Sequence, residues 1–274
     1  MAAVPNVTLN DGVEIPQLGF GTFQIPADDT QRAVEEALAI GYRHIDTAAI
    51  YGNEEGVGRA LAASGLKRDE YFVTTKLWNN QHLGDQAVIG INASLEKLAL
   101  DHLDLYLIHW PAVVKYGDAY IQAWDALQGF QFDGLTRSIG VSNFNIEHLN
   151  KLTGTVPSIN QIELHPTLTQ PGLTAELARR GIVAEAWSPL GRGEDLTNPE
   201  LVSIAAEIGK TPAQIVIRWH IQIGNVVIPK SVTPSRIAEN FDVFDFELTP
   251  EQVAAITALN KDYRTGADPA TADF

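Results

Sequence analysis

Residues 72–109 read FVTTKLWNNQHLGDQAVIGINASLEKLALDHLDLYLIH, and their periodicity decides the fold. FVTTK (72–76) and LDLYLIH (103–109) are short apolar runs of strand length, rich in β-branched and aromatic residues. Between them, QAVIGINASLEKLAL places apolar residues at helical spacing. Strand, helix, strand within about forty residues is a βαβ unit, and continuously apolar strands indicate a parallel sheet covered by helices. The same pattern extends both ways. LGFGT (18–22) and HIDTA (44–48) precede it; SIGVSN (138–143), INQIEL (159–164), VAEAWS (183–188) and VVIPK (226–230) follow. Helical periods such as TQRAVEEALAIG and PAQIVIRWHIQIG separate them. Eight units in 274 residues predict an α/β fold, a (β/α)₈ barrel, with a doubly wound open sheet as the alternative.

The flanks complete that reading. VTLNDGVEI predicts an N-terminal β-hairpin turning at Asn10-Asp11-Gly12, placed to plug the bottom of a barrel. GKTPAQ supplies a glycine stop, Thr211 as N-cap, Pro212 at the first helical position and Gln214 for a capping box; LTPEQ at 248–252 repeats that start for an extra C-terminal helix. No linker, short repeat or low-complexity stretch interrupts the chain, so residues 1–274 are expected to form one domain.

Composition narrows the function. With 45% hydrophobic and 19% charged residues a packed core is expected. The absence of cysteine excludes disulfides and thiolate metal sites and fits a reducing, cytoplasmic setting. A net charge of −15 argues against a nucleic-acid partner, and neither a secretory leader nor a membrane-spanning run is visible. GFGTFQ lacks the third glycine of a dinucleotide fingerprint, and Ile204 stands where a P-loop before Lys210 needs glycine. His44, His82, His102 and His148 lack metal-ligand spacing and read as surface or packing residues; no metal is expected.

In a (β/α)₈ barrel the chemistry gathers at the C-terminal strand ends. Here the second strand ends at Asp46 with Tyr51 in its loop, the third at Lys76 and the fourth at His109. Each alone admits a packing or surface role; together they make a proton donor. A free tyrosine, with a pKa near ~10, is a poor acid at neutral pH. An ammonium beside its hydroxyl favours the phenolate and is expected to lower that pKa, while Asp46 would keep a buried Lys76 charged. His109 can orient a substrate oxygen or relay a proton.

These residues lie within GYRHIDTAAIYGNEEGVG, TTKLWN, DLYLIHWP, RSIGVSN, NQIELHP and IPKSVTPSRIAEN. In order and spacing these segments resemble the signatures of the aldo-keto reductases over nearly the whole chain, most of all the bacterial 2,5-diketo-D-gluconate reductase group. The resemblance implies an NADPH-dependent oxidoreductase with Asp46, Tyr51, Lys76 and His109 as the catalytic four and Tyr51 as proton donor. It also implies a cofactor site. Ser142, Asn143 and Gln161 would bind the carboxamide, and Trp187 would stack on the nicotinamide. Gly21 and Thr22 would lie beside the ribose, Asp46 would also contact the cofactor, and Ser188, Leu190, Gly191 and Gly193 would lie along the pyrophosphate. Lys230, Ser231, Val232, Arg236, Glu239 and Asn240 would surround the adenosine 2′-phosphate and adenine. Apart from any family, Lys230 and Arg236 around a helix start make a phosphate pocket in an otherwise acidic chain.

By the same resemblance Phe23, Tyr51, Trp78, His109 and Trp110 would wall the substrate pocket. The short C-terminal tail implies an open site with broad carbonyl use: small dicarbonyls, keto-sugar acids such as 2,5-diketo-D-gluconate, and aromatic aldehydes. Relatives of this subgroup are commonly monomeric. ALQGFQFDGLTRS (126–138) departs from the family's charged helix end before the fifth strand. Two other readings compete: a cofactor-sensing regulatory subunit, disfavoured by the intact four, and a two-carboxylate glycosidase, disfavoured because Glu54 and Glu55 are adjacent on a helix.

Overall fold

The computed structural model describes residues 4–274. The chain opens with an antiparallel hairpin, β1 (Asn6–Thr8) and β2 (Glu14–Pro16), turning where the sequence predicts. Eight parallel strands follow: β3 (Phe20–Gly21), β4 (His44–Asp46), β5 (Phe72–Leu77), β6 (Leu103–Ile108), β7 (Thr136–Ser142), β8 (Ile159–Glu163), β9 (Val183–Trp187) and β10 (Val226–Val227). Each pairs with its sequence neighbour, from β3 to β10. A parallel bridge between Leu18 and Val227 joins the two ends of the sheet. Gly19 N donates to Val227 O at 2.9 Å, Val227 N to Gln17 O at 2.9 Å and Gly21 N to Pro229 O at 3.1 Å. The sheet is therefore closed, and the open-sheet alternative falls.

Helices α1 (Ala27–Ile40), α2 (Glu54–Ala63), α3 (Gln86–Leu98), α4 (Val113–Tyr116), α5 (Ala119–Phe132) and α6 (Ile146–Leu149) accompany the first half of the barrel. The second half carries α7 (Pro171–Arg180), α8 (Pro199–Ile208), α9 (Pro212–Gln222), α10 (Pro234–Phe241) and α11 (Pro250–Thr257). The predicted caps form: Thr211 Oγ1 accepts from Gln214 N while Gln214 Oε1 accepts from Thr211 N, and Thr249 with Gln252 repeats the exchange. The unusual segment at 126–138 is helical through Gly129; Phe130 is buried, and Phe132, at 91% exposure, is not. Among the described residues no helix is long and apolar enough to cross a membrane.

Strand side chains alternate between the two faces of the barrel wall. One set, including Ile45, Val73, Tyr106, Ile108 and Val141, joins the main core with the helices, where Trp124 and Trp219 are wholly buried. The other set fills the barrel interior. At its floor Leu9 and Ile15 of the hairpin pack on Phe72, Leu105, Leu107, Ile159 and Val226, so the hairpin is the plug that the sequence predicts. Above that apolar floor the interior turns polar, with His44, Asp46, Thr74, Lys76, Gln161 and Glu185 all buried.

Candidate active site

The polar interior arises because inward positions near the C-terminal ends of β4, β5, β8 and β9 carry Asp46, Lys76, Gln161 and Glu185. Lys76 Nζ, with no solvent exposure, lies 2.7 and 2.8 Å from the two Asp46 oxygens and 2.8 Å from Thr47 O. It reaches Tyr51 Oη at 3.5 Å. Asp46 Oδ2 also accepts from Gln161 Nε2 at 2.8 Å. Burial pushes the Asp46 carboxyl up and Lys76 pulls it back. Burial is the largest single effect on Lys76 and lowers it, but Asp46, Tyr51 and Glu185 together outweigh it and hold the ammonium above its ordinary value. Pairing offsets part of the cost of burying the two charges, and for Asp46 burial remains the larger effect.

Tyr51 corrects one expectation. Burial pushes its hydroxyl up to about 12, and Lys76 lowers it only in part. The ammonium acts in the expected direction, but desolvation of the phenolate is the larger effect. His109, at the end of β6, is neutral: burial first, and then Lys76, hold it well below the usual imidazole range. Its ring lies edge-on to Tyr51 at 5.5 Å and to Trp78 at 5.2 Å, and its Nδ1 has no partner among the described residues.

These groups border a cavity of about 1090 Å³ running across the top of the barrel. Phe23, Trp78 and Trp110 stand on its wall with Tyr51 and His109. Beyond them lie Ser142, Asn143, Gln161 and Trp187, then Ser188, Leu190 and Gly193, and at the far end Lys230, Ser231, Arg236, Glu239 and Asn240. Gly21 and Asp46 also line it. Of the sequence-predicted contacts, Thr22, Gly191 and Val232 stand off the wall: Thr22 is wholly buried and bonded to Asp46 O, Gly191 is buried against Asp195, and Val232 faces outward.

The wall is held rigidly. Asn143 Nδ2 donates to His109 O at 3.0 Å, and its Oδ1 accepts from Trp187 Nε1 at 2.8 Å, which fixes the indole plane. Ser142 Oγ donates to Gln161 O at 2.8 Å. Gln24, Asn143, Ser188 and Arg192 all line the cavity with φ between 47° and 64°. Left-handed backbone in non-glycine residues stores strain and gathers at functional sites. Gln24 and Arg192 were missed from sequence, because nothing in residue type announces such a conformation.

The C-terminal tail was also missed. Gly266, Ala267 and Phe274 line the cavity. Phe274 stacks on Trp78 at 6.0 Å and meets Trp110 edge-on at 5.0 Å, while Asn79 Nδ2 donates to Phe274 O at 2.9 Å. The mouth is thus partly covered rather than left open by a short tail. Glu163 anchors that segment: its carboxylate accepts from the backbone N–H groups of Thr265 and Gly266. His165, beside Glu163, also bonds Asp195, tying the tail's anchor to the loop after β9.

At 4.8, the isoelectric point reflects an acidic chain, yet Lys230 and Arg236 form no ion pair among the described residues, and both reach the cavity. Two cations without acidic partners suit an anion with several hydrogen-bond acceptors at that end, and Trp187 presents its indole on the cavity wall.

The comparisons agree with this geometry. The Aldo/keto reductase family model matches residues 17–261. An aldo-keto reductase of Mycolicibacterium smegmatis is 53% identical, and the methylglyoxal reductase DkgA of Yersinia pestis 52% identical, each alignment covering 98% of both chains. Among solved structures, Gox0644 in its apo form superposes with a TM-score of 0.95 at 45% identity over all of both chains. A mutant of Gox0644 in complex with NADPH gives 0.95 at 44%, again over all of both chains. A carboxylate, a lysine and a histidine at three successive strand ends, with a tyrosine in the loop between the first two, on a closed barrel that matches these relatives end to end, lead to one conclusion: the chain belongs to the aldo/keto reductase family.

Proposed function

We propose that the chain reduces aldehydes and ketones to alcohols, with NADPH as the hydride source and Tyr51 as the general acid. The observation that carries this reading is the buried Lys76–Asp46 pair facing the Tyr51 oxygen in the wall of the cavity. NADPH, when bound, supplies the hydride that adds to the carbonyl carbon. The nascent alkoxide takes the Tyr51 proton, and the phenolate left behind faces the Lys76 ammonium. That balances the step: one hydride and one proton convert the carbonyl to an alcohol. Neutral His109 is suited to hydrogen-bond the carbonyl oxygen and aim it at Tyr51, since a neutral imidazole can both donate and accept.

Trp187 would carry the nicotinamide ring, with Ser142 and Asn143 beside its carboxamide. Lys230, Ser231 and Arg236 would hold the 2′-phosphate, a role supported by their freedom from acidic partners. Phe23, Trp78, Trp110 and Phe274 would enclose the substrate carbon skeleton. The aromatic wall favours small or flat carbonyls, and the methylglyoxal reductases among the relatives point to small dicarbonyls first. Keto-sugar acids and aromatic aldehydes extend the same proposal. A single barrel domain over residues 1–274 and a cytoplasmic setting belong to it too, supported by the unbroken strand–helix alternation and the lack of cysteine.

The test is NADPH oxidation, followed at 340 nm, with methylglyoxal, 2,5-diketo-D-gluconate, phenylglyoxal and benzaldehyde. Turnover of at least one, ranked with dicarbonyls first, is the expected result. NADPH binding without turnover of any carbonyl would favour a cofactor-sensing role instead.

A further inference from the structure

Beneath the Asp46–Lys76 pair lies a second acid that the proposed proton transfer does not use. Glu185, on β9, is wholly buried in the barrel interior and absent from the cavity wall. Its Oε2 accepts from Gln161 Nε2 at 3.0 Å, and the same amide donates to Asp46 Oδ2 at 2.8 Å. Two carboxyl groups therefore share one neutral donor, with a single ammonium above them. Glu185 Oε1 has no hydrogen-bond donor and lies 3.7 Å from His44 Nε2.

The charge count decides the state of this group. The charged and titratable side chains facing it are Asp46 and His44 on β4, Lys76 on β5 and Tyr51 above; β8 offers Gln161 and β10 offers Val226, neither ionisable. Lys76 is spent on Asp46. His44 is held neutral, down to about 3, chiefly by burial. An ionised Glu185 would be a buried anion with no cation of its own, beside another anion, which is costly. The hydrogen bonds do not compensate an anion: Oε2 accepts once, from the shared Gln161 amide, and Oε1 accepts from nothing. Burial, and then the Asp46 charge, push Glu185 up to about 8.

We propose that Glu185 is a positioning residue for proton transfer: as the neutral acid it lets Lys76 face one anion rather than two, so that the ammonium remains effective on the Tyr51 oxygen. The inference rests on Tyr51 as the acid. When Glu185 ionises, its charge opposes Lys76 and raises Tyr51 further, and the phenolate formed during reduction loses support. No atom of Glu185 touches the substrate; it acts through Gln161, Asp46 and Lys76.

Glu185→Gln keeps the shape, the acceptor for Gln161 and the neutrality, and cannot ionise. The first measurement is kcat/KM for methylglyoxal at saturating NADPH from pH 6 to 10, for the parent and E185Q. The parent should show a decline with an apparent pKa near 8 that E185Q lacks, so that by pH 9 the normalised profiles differ several-fold. Superimposable profiles would overturn the proposal.

The second measurement needs no activity. Unfolded Glu185 ionises near the ordinary 4.5 and folded Glu185 near 8. Between those values rising pH takes a proton from the unfolded chain alone and weakens the fold. The gap in Tm between E185Q and the parent should therefore widen in favour of E185Q from pH 5 to pH 8 and then level off. A gap independent of pH would mean that Glu185 is ionised throughout, and the proposal would fail. If Tyr51→Phe kept full reductase activity, the reading of Tyr51 would fail instead, while the Tm series would still report on Glu185.

Discussion

At the scale of single residues, Tyr51 sits in a balance between burial and one ammonium. Removing its hydroxyl removes the proposed proton donor and leaves the packing: Tyr51→Phe should bind NADPH as the parent does and lose about 10²–10⁴-fold in carbonyl reduction. Fluorescence titration and steady-state rates check the two halves. Lys76→Met should be comparably damaging, since burial and the Asp46 charge would then raise the tyrosine unopposed. The convergence of Asp46, Tyr51, Lys76 and His109 on one cavity was legible because the barrel rule says where to look: three are polar residues at strand ends, and Tyr51 lies in the loop that follows the first of them. The state of the tyrosine was not legible. A sequence gives the neighbour that lowers a pKa, but not the depth of burial that raises it. Glu185 was hidden for a related reason: within VAEAW it reads as one acid in a strand, and only closure of the barrel puts it beneath Asp46.

At the scale of elements, α10 and the tail frame the two ends of the cavity. Thr233 precedes Pro234 at the start of α10, and Arg236 projects from its first turn. Charge-assisted hydrogen bonds are worth roughly 1.5–3 kcal/mol, or about 10- to 150-fold in affinity. Arg236→Ala should raise the Kd for NADPH within that range and leave that for NADH nearly unchanged, with the difference shrinking in high salt because Arg236 is exposed. Equal losses for both cofactors would reassign Arg236 to adenine. At the other end, a methyl added at Gly266 would fall on the six-membered ring of Trp187. Overpacking of this kind costs about 1–3 kcal/mol when the neighbour cannot yield. Gly266→Ala should raise KM several-fold with a small fall in Tm, because the tail can lift while the barrel stays closed. The eight strands and most helices were readable from period and caps. The path of residues 264–274 was not, since it follows hydrogen bonds from Glu163, a residue about a hundred positions earlier.

At the scale of the whole molecule, buried imidazoles held below their ordinary pKa set the response to acid, His148 among them. His44 and His220 are held at about 3 and His82 at about 4, and His109 lies well below 6.5, each chiefly through burial. A depressed folded value means that the unfolded chain binds the proton first, so stability present above pH 6.5 is lost as pH falls. The midpoint of urea unfolding should drop from pH 7 to pH 5, with the uptake by these histidines on unfolding offset in part by Glu185 and by His165, which Asp195 and Glu163 hold above its ordinary value. A flat midpoint over that interval would show that these rings are charged in the folded protein. The seam between Leu18 and Val227 has a different kind of consequence. It joins positions 209 residues apart, and Gln17 Nε2 reinforces it by donating to Ile221 O and Asn225 O. Until those partners meet, the growing sheet has two bare edges, each a template for a neighbouring chain. Closing over so long a separation is slow, so refolding competes with association between molecules. Recovery from denaturant should depend on protein concentration until the two edge strands join, after which the barrel sheet has no bare edge to recruit another copy.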